Sequence, residues 1–174
     1  MFIDKIPART KDNAFNVIIE IPMNDNPVKY EFDKEVGAIM VDRFMQAPMF
    51  YPCNYGFIPH TLSQDGDPAD VLVISQYPII PGAIIKVRPV GVLIMEDEAG
   101  RDEKILAVPT SKISAIYDKV ENVYDVPKIK LDQIAHFFTH YKDLEKNKWV
   151  RVIGWEGCET ALKILQEAID NFKK

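Results

Sequence analysis

The sequence holds few of the residues that build covalent or metal-thiolate frameworks. Its only cysteines are Cys53 and Cys158, which form no CxxC pair. That argues against a zinc-thiolate site or a disulfide framework, fits a reducing compartment, and leaves both thiols as small residues for the interior. No apolar run approaches the ~20 residues that span a bilayer. Met1-Phe2-Ile3-Asp4-Lys5-Ile6-Pro7 lacks the basic-then-apolar order of a secretory signal. A cytoplasmic location with no membrane association is therefore expected. Positive charge is also in deficit, with 21 Lys and Arg against 26 Asp and Glu and a net charge of −5. This is the wrong sign for a chain that lives on nucleic acid or anionic lipid. Repeats and low-complexity tracts are absent too. A length of 174 residues with 47% hydrophobic composition then predicts one domain, residues 1–174, large enough to bury a core without disulfides.

What the chain does have is acid in one place. Gln64-Asp65-Gly66-Asp67-Pro68-Ala69-Asp70 sets three aspartates within six residues, directly before the apolar run Val71-Leu72-Val73. Two such charges ~5 Å apart at an effective dielectric of ~20 repel by roughly 3 kcal/mol. A bound cation relieves that repulsion. Oxygen-only ligands suit hard ions such as Mg²⁺, Mn²⁺ or Ca²⁺, and Gly66 and Pro68 favour a tight turn on which alternate side chains converge. A solvated acidic turn would carry the same residues. An EF-hand starting at Asp65 is excluded, because positions five, six and twelve hold Ala69, Asp70 and Gln76. An aspartyl-phosphate phosphatase motif fits poorly, since Leu62-Ser63-Gln64 precedes the aspartates instead of a strand.

Short apolar and alternating runs predict strands at 16–21, 28–32 and 37–43. Two more are expected within 83–95, bent at Pro89 and Gly91, with further strands at 71–74, 105–108 and 149–155. Phe50 to His60 holds too many turn residues for a helix and leads into the acidic loop. Glu96 to Lys104 reads as a charged hairpin tip carrying Asp97 and Asp102 on opposite arms, and 114–126 as irregular or a short helix. Leu131 to Lys148 has helical spacing, and so does Ala161 to Phe172. The whole predicts a mainly β, α+β chain, with a small closed antiparallel barrel and two principal helices packed outside it. His136, His140 and Asp143 share one stripe of the first helix. No HExxH glutamate lies between the histidines, so a subunit contact is a better expectation for them than zinc.

If the charged positions converge, Glu20, Glu31, Asp65, Asp67, Asp70, Asp97 and Asp102 face Lys29, Arg43, Lys104 and Lys142, a balance of −3. Divalent cations together with a phosphate-rich substrate would neutralise such a pocket, as metal-assisted phosphoryl transfer requires. The competing expectation is a non-catalytic barrel that binds a polyanion or oligonucleotide through Lys29, Arg43 and Lys142.

The motifs, in order, resemble the soluble family I inorganic pyrophosphatases of the bacterial type. The likeness rests on Val17 to Pro22, Lys29-Tyr30-Glu31, Val41-Asp42-Arg43-Phe44, Tyr51 to Gly56, Asp65 to Val71, Asp97 to Gly100, Asp102 with Lys104, and His140-Tyr141-Lys142. It runs nearly end to end. The resemblance implies Mg²⁺-dependent hydrolysis of pyrophosphate to two orthophosphates on a barrel similar to the OB fold, usually in a hexamer. Several Mg²⁺ ions per site are implied, with Mn²⁺ or Zn²⁺ as substitutes. Asp65, Asp70, Asp102 and Asp97 would hold activating metals, with Glu20 and Glu31 reaching a further one. Asp67 would be the general base for a water, near Tyr55. Lys29, Arg43, Tyr141 and Lys142 would grip the phosphates, with Lys104 and Tyr51 completing the lining. His136, His140 and Asp143 would lie at the subunit interface.

Overall fold

The computed structural model describes residues 3–173. Met1 and Phe2, which form part of the leader expectation, and Lys174 lie outside the described residues. Eight strands are formed: β1 (Phe15–Ile21), β2 (Val28–Asp33), β3 (Ala38–Phe44), β4 (Asn54–Phe57), β5 (Asp70–Val73), β6 (Ile84–Asp97), β7 (Gly100–Pro109) and β8 (Val150–Gly157). Helix α1 (Lys128–His140) precedes β8, and α2 (Cys158–Phe172) follows it. The strands pair in the order β1-β4-β5-β7-β6, and β1 pairs again with β6. That second pairing closes a five-stranded ring with no free edge, the arrangement of a small OB-like barrel. β8 extends the ring outside β6, while β2 and β3 form a separate two-stranded hairpin.

The architecture follows the expectation, and several details depart from it. One pair in the ring, β5 with β7, is parallel, so the barrel is not wholly antiparallel. β6 is a single long strand, because the Pro89 and Gly91 bend is absorbed as a register shift against β7 while pairing continues on both sides. β4 lies inside the non-helical segment from Phe50 to His60, to which no strand is assigned from the sequence. Turn-rich flanks hide it, and Gly56 is required by it: a Cβ there would stand 2.0 Å from the Ile18 carbonyl oxygen of β1. Helix α1 starts at Lys128, directly after Pro127, and ends at His140, so Asp143 and Glu145 fall in the turns that follow. The apolar spacing runs on past His140, but Tyr141 and Lys142 are buried toward the cavity described below and the backbone leaves the helical path.

The uniform apolar runs are explained by burial on both faces. Val71, Val73, Ile105 and Ala107 join a core cluster with Ala161, Leu165 and Ala168 of α2. Their neighbours Leu72, Leu106 and Val108 join a second cluster with Ile134, Phe137 and Phe138 of α1. A strand covered on both sides cannot alternate apolar with polar. Each large side chain so buried contributes ~1.5–3 kcal/mol, which fixes the wall that carries the polar groups. Among the described residues, no helix is long and apolar enough to cross a membrane.

Candidate active site

The acidic loop is tied to the barrel at its stem. The buried Thr61 hydroxyl donates to the Ile58 carbonyl at 2.6 Å and accepts from the Ala69 N–H at 2.9 Å. Ile58 N–H donates to the Ala69 carbonyl, and Leu62 N–H to the Ala168 carbonyl of α2. Between these ties the chain turns through Gly66 at φ +92°, a conformation that suits glycine. Asp65 Oδ1 accepts the Asp67 N–H at 3.0 Å. Asp65 and Asp67 are thereby held at the exposed tip, and Asp70 enters β5.

All fourteen side chains singled out from the sequence line one cavity of about 530 Å³. β1 supplies Glu20; the hairpin supplies Lys29, Glu31 and Arg43; β4 and the segment before it supply Tyr55 and Tyr51. Asp65, Asp67 and Asp70 come from the loop and β5, while Asp97, Asp102 and Lys104 come from β6 and β7. Tyr141 and Lys142 come from the turn directly after α1. Glu98, Lys34 and Lys148, not assigned from the sequence, also line it, giving eight carboxylates against six basic groups. Arg101 and Glu103 pair with each other at 3.1 Å and do not line the cavity.

Lysines separate the acids. Lys104 Nζ lies 2.5 Å from Asp70 Oδ2 and 2.6 Å from Asp102 Oδ1. The parallel register of β5 and β7 sets Asp70 beside Lys104, and Asp102 lies two residues away on the same face. Burial alone would lower the Lys104 pKa, yet the two aspartates hold it well above the ordinary lysine value. The ammonium therefore stays charged. Burial raises the pKa of Asp102 despite Lys104, with Asp70 adding to the rise. Lys142 Nζ meets Asp97 Oδ2 at 2.8 Å. Burial opposes ionisation of Asp97, but the hydrogen bonds from Lys142 and the Ala99 N–H outweigh it and hold its pKa below the usual value.

Glu20 is buried and pushed up to about 8, mainly by desolvation and further by Asp70 and Glu31, against a hydrogen bond from the Phe32 N–H at 2.8 Å. The same bond ties the hairpin to the barrel. Partial desolvation, with Asp70 and Asp102 nearby, raises Asp65 in spite of the Asp67 N–H. Tyr51 and Tyr55 are raised well above the ordinary phenol value by burial and by neighbouring acids, and both stay neutral O–H donors. On the hairpin, Lys29 pairs with Glu31 and lies 3.4 Å from Asp42; Arg43 pairs with Asp42 and Glu145.

Among the described residues, no three Asp, Glu, His or Cys side chains are gathered closely enough to enclose an ion as they stand. The donor chemistry nevertheless fits a hard divalent cation. The donors are all carboxylate oxygens, and Glu20, Asp65 and Asp102 have pKa values raised first by burial and further by neighbouring acids, both of which a bound cation would offset. Lys104 already serves as one cation between two of them.

Comparison with known proteins gives this geometry its family. The inorganic pyrophosphatase family model matches residues 17–173. The chain belongs to the inorganic pyrophosphatase family. A relative from Rickettsia bellii named inorganic pyrophosphatase is 60% identical over 174 residues, covering 100% of this chain and 99% of its own. The solved inorganic pyrophosphatase of Coxiella burnetii superposes with a TM-score of 0.93 at 52% identity, over 96% of this chain and 99% of that one. That of Thermus thermophilus also gives 0.93, at 41% identity and 99% coverage of both chains. Proteins of this family are hydrolases. His136 and His140 lie on α1 with ring centroids 4.6 Å apart, and His140 Nδ1 meets Asp143 Oδ2 at 2.7 Å, away from the cavity lining. Sequence reasoning gave no role to Asp42, Glu98, Glu145 or Lys148. Asp42 and Glu98 stand beside assigned residues, which was the available signal, while the positions of Glu145 and Lys148 depend on the turns after α1.

Proposed function

We propose that this chain hydrolyses pyrophosphate to two orthophosphates in a Mg²⁺-dependent reaction with Asp67 as general base. One observation carries the proposal: eight carboxylates from several segments meet Lys29, Arg43, Lys104, Lys142 and three tyrosines around a single cavity. Asp65, Asp70, Asp102 and Asp97 are the residues to hold activating Mg²⁺, with Glu20 and Glu31 for a further ion and Mn²⁺ or Zn²⁺ as substitutes. Bound Mg²⁺ supplies positive charge that neutralises the diphosphate and makes a water acidic. Asp67, at the exposed tip of the loop, accepts the proton of the attacking water at a carboxylate oxygen. Lys29, Arg43, Tyr141 and Lys142 hold phosphate oxygens, and the neutral hydroxyls of Tyr51 and Tyr55 donate without adding charge. Lys104 keeps Asp70 and Asp102 apart and oriented.

Orthophosphate release from pyrophosphate, measured with and without Mg²⁺, tests this, and absence of metal-dependent release overturns it. The polyanion-binding alternative has weaker support, because eight carboxyl groups outnumber six basic groups in the cavity, a balance that opposes a polyanion unless bound cations offset it. The proposal includes a cytoplasmic homo-oligomer, a hexamer, with His136, His140 and Asp143 at an interface. His136 lines a shallow groove with Phe50, itself 57% exposed. Sedimentation of His136→Ala and His140→Ala checks the assembly, and unchanged sedimentation of both overturns that part.

A further inference from the structure

Arg43 is a half-buried cation on a hairpin that packs little of itself into the core. No residue of β2 or β3 is buried, and the Arg43 side chain keeps 34% of its surface in solvent. Backbone packing therefore does little to fix its four side-chain torsions, and a free guanidinium has much rotamer entropy to lose when it grips an anion. Two carboxylates hold it instead. Asp42, its neighbour in the chain, accepts from Nη1 at 2.5 Å. Glu145 is 102 residues away in sequence, in the turns after α1, and its Oε1 accepts from both Nε and Nη2 at 3.3 Å. Glu145 is the less exposed partner, with a side chain at 12%, and it does not line the cavity, whereas Arg43 does. An acceptor shared by Nε and Nη2 fixes the roll of the guanidinium plane as well as its position. Three of the five guanidinium N–H groups are then engaged, and two remain.

We propose that Glu145 is a positioning residue that holds the Arg43 guanidinium in the orientation in which its remaining N–H groups meet a phosphate group of the substrate. The inference rests on the pyrophosphate proposal for the identity of that substrate. A simpler role would be to tether the turn after α1 to the hairpin, which would affect stability but not act through Arg43.

A double-mutant cycle separates the two roles. Glu145→Ala is expected to raise KM for pyrophosphate about tenfold, since a mis-set contact to the bound ligand is lost. Glu145→Gln keeps an acceptor oxygen at the same reach and is expected to stay within about threefold of the parent. In an Arg43→Lys background, which has no planar fork to orient, Glu145→Ala is expected to add less than about twofold. An equal loss in both backgrounds, an unchanged KM in Glu145→Ala, or a Gln variant as poor as the Ala variant would overturn the inference. If the parent releases no orthophosphate, the pyrophosphate proposal itself fails; the same cycle read as the calorimetric Kd for pyrophosphate then decides the role of Glu145 separately.

Discussion

β1 and the β2–β3 hairpin border the same cavity and are built in opposite ways. Every residue of β1 is buried, while none in β2 or β3 is. β1 thus presents Glu20 from a wall fixed by packing, at the cost of desolvating it, which pushes its pKa up to about 8. The hairpin leaves Lys29, Glu31 and Arg43 hydrated and orients them through ion pairs with Asp42 and Glu145. Acids on the barrel are held by the core, and cations on the hairpin are held by charge. The two sides meet where the Phe32 N–H donates to Glu20, and where Phe32 approaches Phe57 at 6.0 Å between ring centroids.

Changes on the barrel side should therefore be costly and those on the hairpin mild. The largest expected effect is on chemistry: Asp67→Asn, on the loop stapled to the barrel, should lower kcat by ~10³-fold, within the range set by losing a general base. Its thermal midpoint should stay close to the parent, and unchanged turnover would remove Asp67 from that role. Next, Lys104→Ala leaves Asp70 and Asp102 without their shared cation and should destabilise the fold by about 3 kcal/mol in urea titrations with chelator. Added Mg²⁺ should restore part of that loss; no recovery would argue against a cation site at these acids.

A smaller effect is carried by Glu20. Its folded-state pKa, about 8, lies above the ordinary 4.5, so the folded chain binds the proton more tightly than the unfolded chain does. The stabilisation from protonated Glu20 is complete below pH 4.5 and is lost as pH rises to about 8. Relative to Glu20→Gln, the chelated parent should lose roughly 2 kcal/mol across that window, less than the ~5 that a rigid site would give. A pH-independent difference between the two would contradict the assigned desolvation. Smallest of all, Lys29→Ala on the hairpin should cost under about 1 kcal/mol of stability, as partly exposed ion pairs do. A loss as large as that of Lys104→Ala would erase the distinction between the two sides.

The β-branched runs of β1 and β5, the helical spacing of α2 and the ordered acidic and basic motifs are legible because they are local. β4 was not, because four residues between turn formers carry no periodicity, and its place is set by the approach of Gly56 to β1. The C-terminal end of α1 was not, because helical spacing continues past His140 while Tyr141 and Lys142 turn inward. Local sequence cannot weigh a distant partner against the next helical turn.

The residue types alone determined the chemistry of the acidic loop. Three aspartates around Gly66 and Pro68 make an oxygen-donor turn in any fold that exposes them. Which acid stands beside which base was decided only by tertiary structure. Asp70 faces Lys104 because β5 and β7 pair directly and in parallel, and Arg43 meets Glu145 across 102 residues because the turns after α1 return to the hairpin. Pairings between segments so distant follow from how the barrel closes and packs, which no local pattern records.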